Sequence, residues 1–299
     1  MPRAWAIRRD AQESTMSPTA RLMDGTALAR SIVERAAERA AALTRQTGQS
    51  PCLATVLVGD DPASVTYVRM KRARCEKAGI RSRHVALPAA TTTAELVDTI
   101  TGLSNDPDVH GILLQHPVGA HIDERAAFEA IAPEKDVDGV TYHSFATMSF
   151  GVDGFASCTP AGILRLLDHY GVELAGKHAV VVGRSAILGK PVGMLLLGRN
   201  ATVTYCHSRT TDLASVTRQA DVLVAAVGRP RFLTGEHIKP GAVVIDAGYN
   251  PGNVGDVDFD SAGTRASLIT PVPGGVGPMT IATLLTQTVD AATRRLRAV

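Results

Sequence analysis

Apolar residues recur along this chain with two periods, and the switching between them lays out the elements. Segments 52–60 (CLATVLVGD), 83–88 (RHVALP) and 109–117 (VHGILLQHP) are short apolar runs closed by polar, proline or glycine turns. Such runs predict buried strands. Between them, apolar positions recur at helical spacing. Residues 24–43 predict a helix begun at Asp24, 91–106 one capped by threonines, and 123–133 a shorter one. The loop 134–141 (EKDVDGVT) is polar. A helix over 161–171 then leads into 177–185, 201–208, 221–228 and 241–249, four apolar runs that predict buried strands. Residues 267–275 predict a fifth, and 279–299 a final helix. Helices and strands that alternate in this way predict an α/β fold with mostly parallel sheets.

One helix carries a candidate for chemistry. In residues 59–64 (GDDPAS), Asp61 can cap and Pro62 suits a first turn, and Gly79 then stops the helix. With about 100° per residue, Ser64, Tyr67, Val68, Lys71, Cys75 and Ala78 share one arc. Arg69, Arg72, Glu76 and Lys77 point elsewhere. Lys71 therefore falls on the apolar face, one turn from a phenol. Taken alone, this helix favours a lysine snorkelling from the core edge.

Composition narrows the function classes. The chain has 299 residues, enough for about two domains. Hydrophobic residues make up 45% and charged residues 20%, which is globular. A net charge of +2 and 4% aromatic residues give neither a basic patch nor base-stacking platforms, so no nucleic-acid partner is expected. No apolar run reaches membrane-spanning length. The four cysteines (Cys52, Cys75, Cys158, Cys206) are scattered without C-x-x-C spacing, which predicts no metal, no disulfide framework and a reducing, cytoplasmic setting. Residues 1–20 lack an apolar signal core and read as a disordered tail or an overlong start, with Met16 a candidate initiator.

Segment 180–191 (VVVGRSAILGKP) is the main nucleotide signal. A turn bearing Gly183, Arg184 and Ser185 joins a strand to a helix, with Gly189 beyond. Such a turn aims backbone N–H groups at a phosphate. NAD-binding domains place an acid at the end of the next strand. Here that end reads YCHSRT, with Ser208 and Arg209 as donors, which favours NADP. Gln115 and His116 end a first-half strand, where open α/β sheets bind ligands. Asp136 and Asp138 share a turn, and 271–280 (PVPGGVGPMT) lets backbone approach a ligand closely.

In one order, YVRMK, GILLQHP, PEKDVDG, CTPAGI, VVGRSAILGKP, CHSRT, VGDVDF and PVPGGVGPMT resemble the bifunctional methylenetetrahydrofolate dehydrogenase/methenyltetrahydrofolate cyclohydrolase family. The resemblance runs from about Asp24 to the C-terminus. It implies two α/β domains flanking a cleft: a folate-binding catalytic domain over 21–160 and a Rossmann-like NADP-binding domain over 161–280. Residues 281–299 would form a helix returning to the first domain. It also implies a homodimer, a tetrahydrofolate substrate and a place in one-carbon metabolism and purine biosynthesis. Hydride would pass from 5,10-methylenetetrahydrofolate to NADP⁺, and water would open the methenyl product to 10-formyltetrahydrofolate.

Matched residue by residue, the resemblance assigns Lys71, Tyr67, Gln115 and Asp138 to catalysis and folate binding. Pro273, Gly274, Gly275 and Gly277 match the loop over the folate. Gly183, Arg184, Ser185, Ser208, Arg209 and Tyr249 match the cofactor side. Three places depart from the family pattern. His116 stands for a leucine, Ser144 and Ala146 stand for an asparagine and a glycine, and Tyr249 stands for an isoleucine. These leave open a dehydrogenase with little cyclohydrolase activity. A ligand-binding paralogue without turnover is a further alternative, but a pure binder has no need of Lys71.

Overall fold

The computed structural model describes residues 20–297; the side chains of residues 62–67 and 297 fall outside that description, as do residues 1–19. The reading of the first residues as a tail, and of Tyr67 as facing inward, therefore concerns positions outside the described residues.

The first sheet has three parallel strands in the order β3-β2-β4: β2 (Cys52–Val58), β3 (Arg81–Leu87) and β4 (Gly111–Gln115). Every residue of the central β2 is buried, as its unbroken apolar run requires. Helices α1 (Gly25–Thr47), α2 (Pro62–Lys77), α3 (Thr93–Asn105) and α4 (Glu124–Glu129) connect and cover it. Asp24 caps α1 by accepting from the N–H groups of Thr26 and Ala27. Thr92 and Glu95 form a capping box on α3.

The second sheet has six strands, all parallel, in the order β1-β9-β8-β7-β5-β6. They are β5 (His178–Val182), β6 (Thr202–Cys206), β7 (Val222–Ala225), β8 (Val243–Asp246), β9 (Leu268–Ile269) and β1 (Arg21–Leu22). Two of these differ from the sequence reading. The run at 201–208 forms an edge strand, β6, not a buried one. It pairs with β5 alone, and Thr202 and Tyr205 are exposed. The β1 strand, too short to show any periodicity, brings the start of the described chain to β9.

Short helices α5 (Tyr142–Phe150), α6 (Cys158–His169), α7 (Gly189–Gly198), α8 (Leu213–Thr217) and α9 (Phe259–Gly263) complete the connections. The last helix, α10 (Val276–Arg297), begins three residues before its expected start at Met279. It leaves the second sheet, packs along α1 and α6 and reaches β2 and β4 of the first sheet. Its residues Ile281, Leu284, Leu285 and Val289 share a core with Leu53 and Leu113 of that sheet. Among the described residues, no helix is long and apolar enough to cross a membrane.

Candidate active site

Lys71 lies on the inward face of α2. Val68, Cys75 and Ala78 on the same arc are buried, whereas Arg69, Arg72, Glu76 and Lys77 are exposed. The lysine is half-buried, and its Nζ donates to Gln115 Oε1 at 3.0 Å. Gln115 ends β4, and its amide nitrogen donates to the His116 carbonyl at 3.0 Å. That second bond fixes which way the amide faces, so its oxygen is offered to the lysine. Burial lowers the pKa of Lys71, and the nearby Asp138 opposes the shift.

The polar loop after α4 separates its two acids by role. Asp136 is fully buried and saturated. Its carboxylate accepts from the backbone N–H groups of Gly139, Val140 and Thr141 at 2.9–3.1 Å, and from Ser144 Oγ at 2.6 Å. It pins the loop. Ser144, one of the departures from the family pattern, is thereby explained: it is buried and supplies a hydroxyl to Asp136. Asp138, two residues on, is half-buried. Burial raises its pKa, and the nearby Lys71 and His116 offset only part of that rise. Lys71, Gln115, His116 and Asp138 thus meet at the carboxyl end of the first sheet.

Two residues that the sequence reading passed over hold this loop. Cys158, at the start of α6, donates its thiol to the Val137 carbonyl at 3.1 Å, and its N–H donates to the Asp138 carbonyl at 3.1 Å. Burial, then Asp138, pushes that thiol well above its ordinary pKa, so it stays protonated. Gln287 of α10 donates to the carbonyls of Val137 at 2.7 Å and Ala156 at 3.0 Å. The final helix therefore braces the loop that presents Asp138. His116 packs edge-on to Phe128, with ring centroids 6.1 Å apart.

The turn after β5 is built on close approach. Gly183 has φ 130°, and a Cβ there would lie 2.1 Å from the Ala226 carbonyl oxygen. A Cβ on Gly189 would meet the Gly183 carbonyl oxygen at 2.5 Å, so only glycine lets α7 begin this close to the turn. Ser185 Oγ accepts from the Gly189 N–H at 3.1 Å, and Arg184 and Ser185 are exposed. At the end of β6, Ser208 and Arg209 are exposed in a tight turn closed by His207 and Thr210. The next acid, Asp212, is committed to capping α8 through the Ser215 N–H. Donors without a competing carboxylate fit a phosphate better than a ribose hydroxyl.

The remaining matched positions fall on neighbouring loops. The carbonyl of Gly274 accepts from the N–H groups of Gly25 and Thr26, which ties the loop 273–277 to the start of α1. Gly275 is hemmed in by Pro271 and Thr270, whereas Gly277 faces open space. Tyr249 is exposed, and its hydroxyl donates to Asn253 at 2.6 Å. Beneath it, two buried acids brace the loops. Asp246 accepts from the N–H groups of Gly248, Asp256 and Val257, and Asp256 accepts from those of Val227, Gly228 and Arg229.

Comparison with known proteins bears on this geometry. Residues 23–138 match the tetrahydrofolate dehydrogenase/cyclohydrolase catalytic domain, and residues 157–296 match that family's NAD(P)-binding domain. The chain is 78% identical over 278 residues to bifunctional protein FolD 1 of Streptomyces avermitilis, spanning 93% of this chain and 97% of the relative. It is 60% identical over 273 residues to bifunctional protein FolD of Shouchella clausii, spanning 91% and 98%. The fold superposes on the FolD enzyme of Trypanosoma brucei, solved with NADP cofactor and inhibitor, with a TM-score of 0.90 at 40% identity, covering 94% of this chain and 99% of that one. The Campylobacter jejuni FolD structure gives 0.89 at 44% identity, covering 92% and 99%. The chain belongs to the tetrahydrofolate dehydrogenase/cyclohydrolase family.

Proposed function

We propose that this protein oxidises 5,10-methylenetetrahydrofolate with NADP⁺ and hydrolyses the methenyl product to 10-formyltetrahydrofolate. The observation that carries this reading is the Lys71–Gln115 hydrogen bond beside Asp138. It is a partly desolvated amine held next to a carboxylate at the ligand-binding end of a parallel sheet. The domain division proposed is the one expected from sequence: folate on 21–160, cofactor on 161–280, and 281–299 returning.

Each residue's role follows from its chemistry. Asp138, which lies beside Lys71, accepts from the pterin ring N–H and amino group. Gln115 Oε1 accepts a hydrogen bond from Nζ and so aims the amine. A methenyl cation beside Lys71 adds like charge to the burial that already disfavours the ammonium. The neutral amine then accepts a proton from the attacking water. Tyr67 is assigned to packing beside the pterin, and Pro273, Gly274, Gly275 and Gly277 to backbone contact over it.

When bound, NADP⁺ supplies the hydride acceptor. Gly183, Arg184 and Ser185 would hold its pyrophosphate side and Ser208 and Arg209 its 2′-phosphate, and Tyr249 is assigned to the nicotinamide side. The protein's part in hydride transfer is to position the two reactants.

A homodimer is supported by exposed apolar side chains on neighbouring elements. Phe150 ends α5, Val152 follows it, and Leu197 lies on α7, which packs against both α5 and the open edge strand β6. The four free, buried cysteines fit a cytoplasmic enzyme. Its product would feed formyl transfer, purine biosynthesis included. The test is to incubate the purified protein with 5,10-methylenetetrahydrofolate and NADP⁺ or NAD⁺, following reduced cofactor and methenyl absorbance together. Reduction of NADP⁺ with transient methenyl absorbance is expected. Binding of both ligands without turnover would overturn the reading.

A further inference from the structure

His110 precedes β4 at the opposite end of the first sheet from Gln115, about 17 Å away at 3.3 Å per residue. It is 1% exposed, and its Nδ1 accepts from the Cys52 N–H at 3.1 Å. A neutral ring that accepts at Nδ1 carries its proton on Nε2. That Nε2 is buried and has no partner among the described residues. Unpaired buried donors are uncommon and costly.

The ring lines a cavity of about 280 Å³, together with Glu134, Lys135, Ala291, Arg294 and Arg295. Lys135 is 1% exposed and makes no ion pair among the described residues. Two of its three protons go to the carbonyls of Leu103 and Asp106 at the end of α3. Arg294 is paired with Asp153, whereas Arg295 has no carboxylate partner among the described residues. Among the described residues Glu134 is the only acid that lines the cavity, and Asp108 lies near the ring. Burial, followed by the charges of Arg295, Arg81 and Lys135, pushes His110 down to about 4. Basic side chains thus gather around a ring that burial keeps neutral at neutral pH, and burial together with Arg295 lowers the Lys135 pKa as well.

We propose that this cavity is an oxyanion site, separate from the active site, that takes a phosphate group through His110 Nε2–H, the third proton of Lys135 and the guanidinium of Arg295. Donors of three kinds on three segments suit a tetrahedral anion that offers acceptors in several directions. Nε2 has almost no accessible surface, so an anion reaches it only when the side chains lining the cavity shift. The cavity has room beyond a bare phosphate, which fits a phosphorylated small molecule as well as the free ion.

The experiment is NMR of the full-length protein with ring-labelled histidine, saturated with NADP⁺ so that the cofactor site is filled. Inorganic phosphate is titrated against chloride at constant ionic strength, and glycerol phosphate is titrated in parallel. His110 signals should shift saturably with phosphate and not with chloride, and the His110 pKa should rise above about 4. Arg295→Gln, a change at a partly exposed side chain, should weaken the apparent affinity about tenfold or more. Tighter binding of the ester would assign the site to a phosphorylated metabolite, and tighter binding of the free ion to phosphate itself. His110 signals that stay fixed up to about 20 mM phosphate, or that shift equally in Arg295→Gln, would overturn the proposal.

Discussion

Replacing Asp136 by alanine removes the acceptor that pins the loop carrying Asp138. Among the described residues the N–H groups of Val140 and Thr141 have no other backbone acceptor, and the Ser144 hydroxyl loses its partner. The Gly139 N–H keeps a second bond, to the Asp136 carbonyl. Two orphaned backbone donors cost about 1–3 kcal/mol each, and a lost charge-assisted bond about 1.5–3 kcal/mol. Recovered desolvation of the carboxylate offsets part of this, leaving a loss of about 4 kcal/mol. In a chain of this size that lowers the melting temperature by about 6 °C. Ser144→Ala removes one bond and should cost about 1–2 kcal/mol. Asp138→Ala should cost almost no stability, because burial already opposes its charge, but should weaken folate binding by about 10²-fold. Thermal unfolding of the three variants, with folate titration of those that fold, reads both quantities. An Asp136→Ala protein melting within about 2 °C of the parent, or an Asp138→Ala protein melting below Asp136→Ala, would refute the division of roles.

Ser208→Ala and Arg209→Ala should each erode a preference for NADP⁺ over NAD⁺ of roughly tenfold or more; a kcat/KM ratio unchanged in both would show that the end of β6 does not read the 2′-phosphate. Gly183→Ala drives a Cβ into the Ala226 carbonyl and should raise the KM for NADP⁺ while cyclohydrolase activity on supplied methenyl substrate persists; parallel loss of both activities would count against a local effect. Burial pushes Asp246 up to about 6. The native state then binds more protons than the unfolded one between about pH 4 and 6, so this group makes stability fall as pH rises through that window, by about 3 kcal/mol in all. Denaturant titrations across that range should show a flatter pH slope in Asp246→Asn, and an identical slope would contradict the shift.

What the sequence disclosed, and what it withheld, follows from the range of each interaction. The inward placement of Lys71 was legible because helical periodicity alone fixes which residues share its face, and Val68, Cys75 and Ala78 are buried as that periodicity requires. The glycine turn at Gly183 was legible because a strand, a tight turn and a helix follow one another directly. The choice of Asp138 over Asp136 came only from the family resemblance. Spacing does not distinguish a carboxylate saturated by its own loop from one left facing a lysine. Gln287 reaches Val137 from 150 positions away, so nothing local could mark it. The strand β6 has the apolar run of a buried strand, and its edge position depends on sheet order, which no single segment encodes. His110 was invisible for the same reason: its significance lies in what surrounds the ring.

The central claim is that Lys71, aimed by Gln115, performs the hydrolytic step and not the hydride transfer. Lys71→Met keeps the aliphatic stem and removes the ionisable nitrogen. The decisive measurement is the pair of initial rates in this variant, hydrolysis of supplied methenyltetrahydrofolate and NADPH formation from methylenetetrahydrofolate, each relative to the parent protein. Hydrolysis should fall by about 10²-fold or more while NADPH formation is largely retained. Hydrolysis at the parent rate would contradict the account.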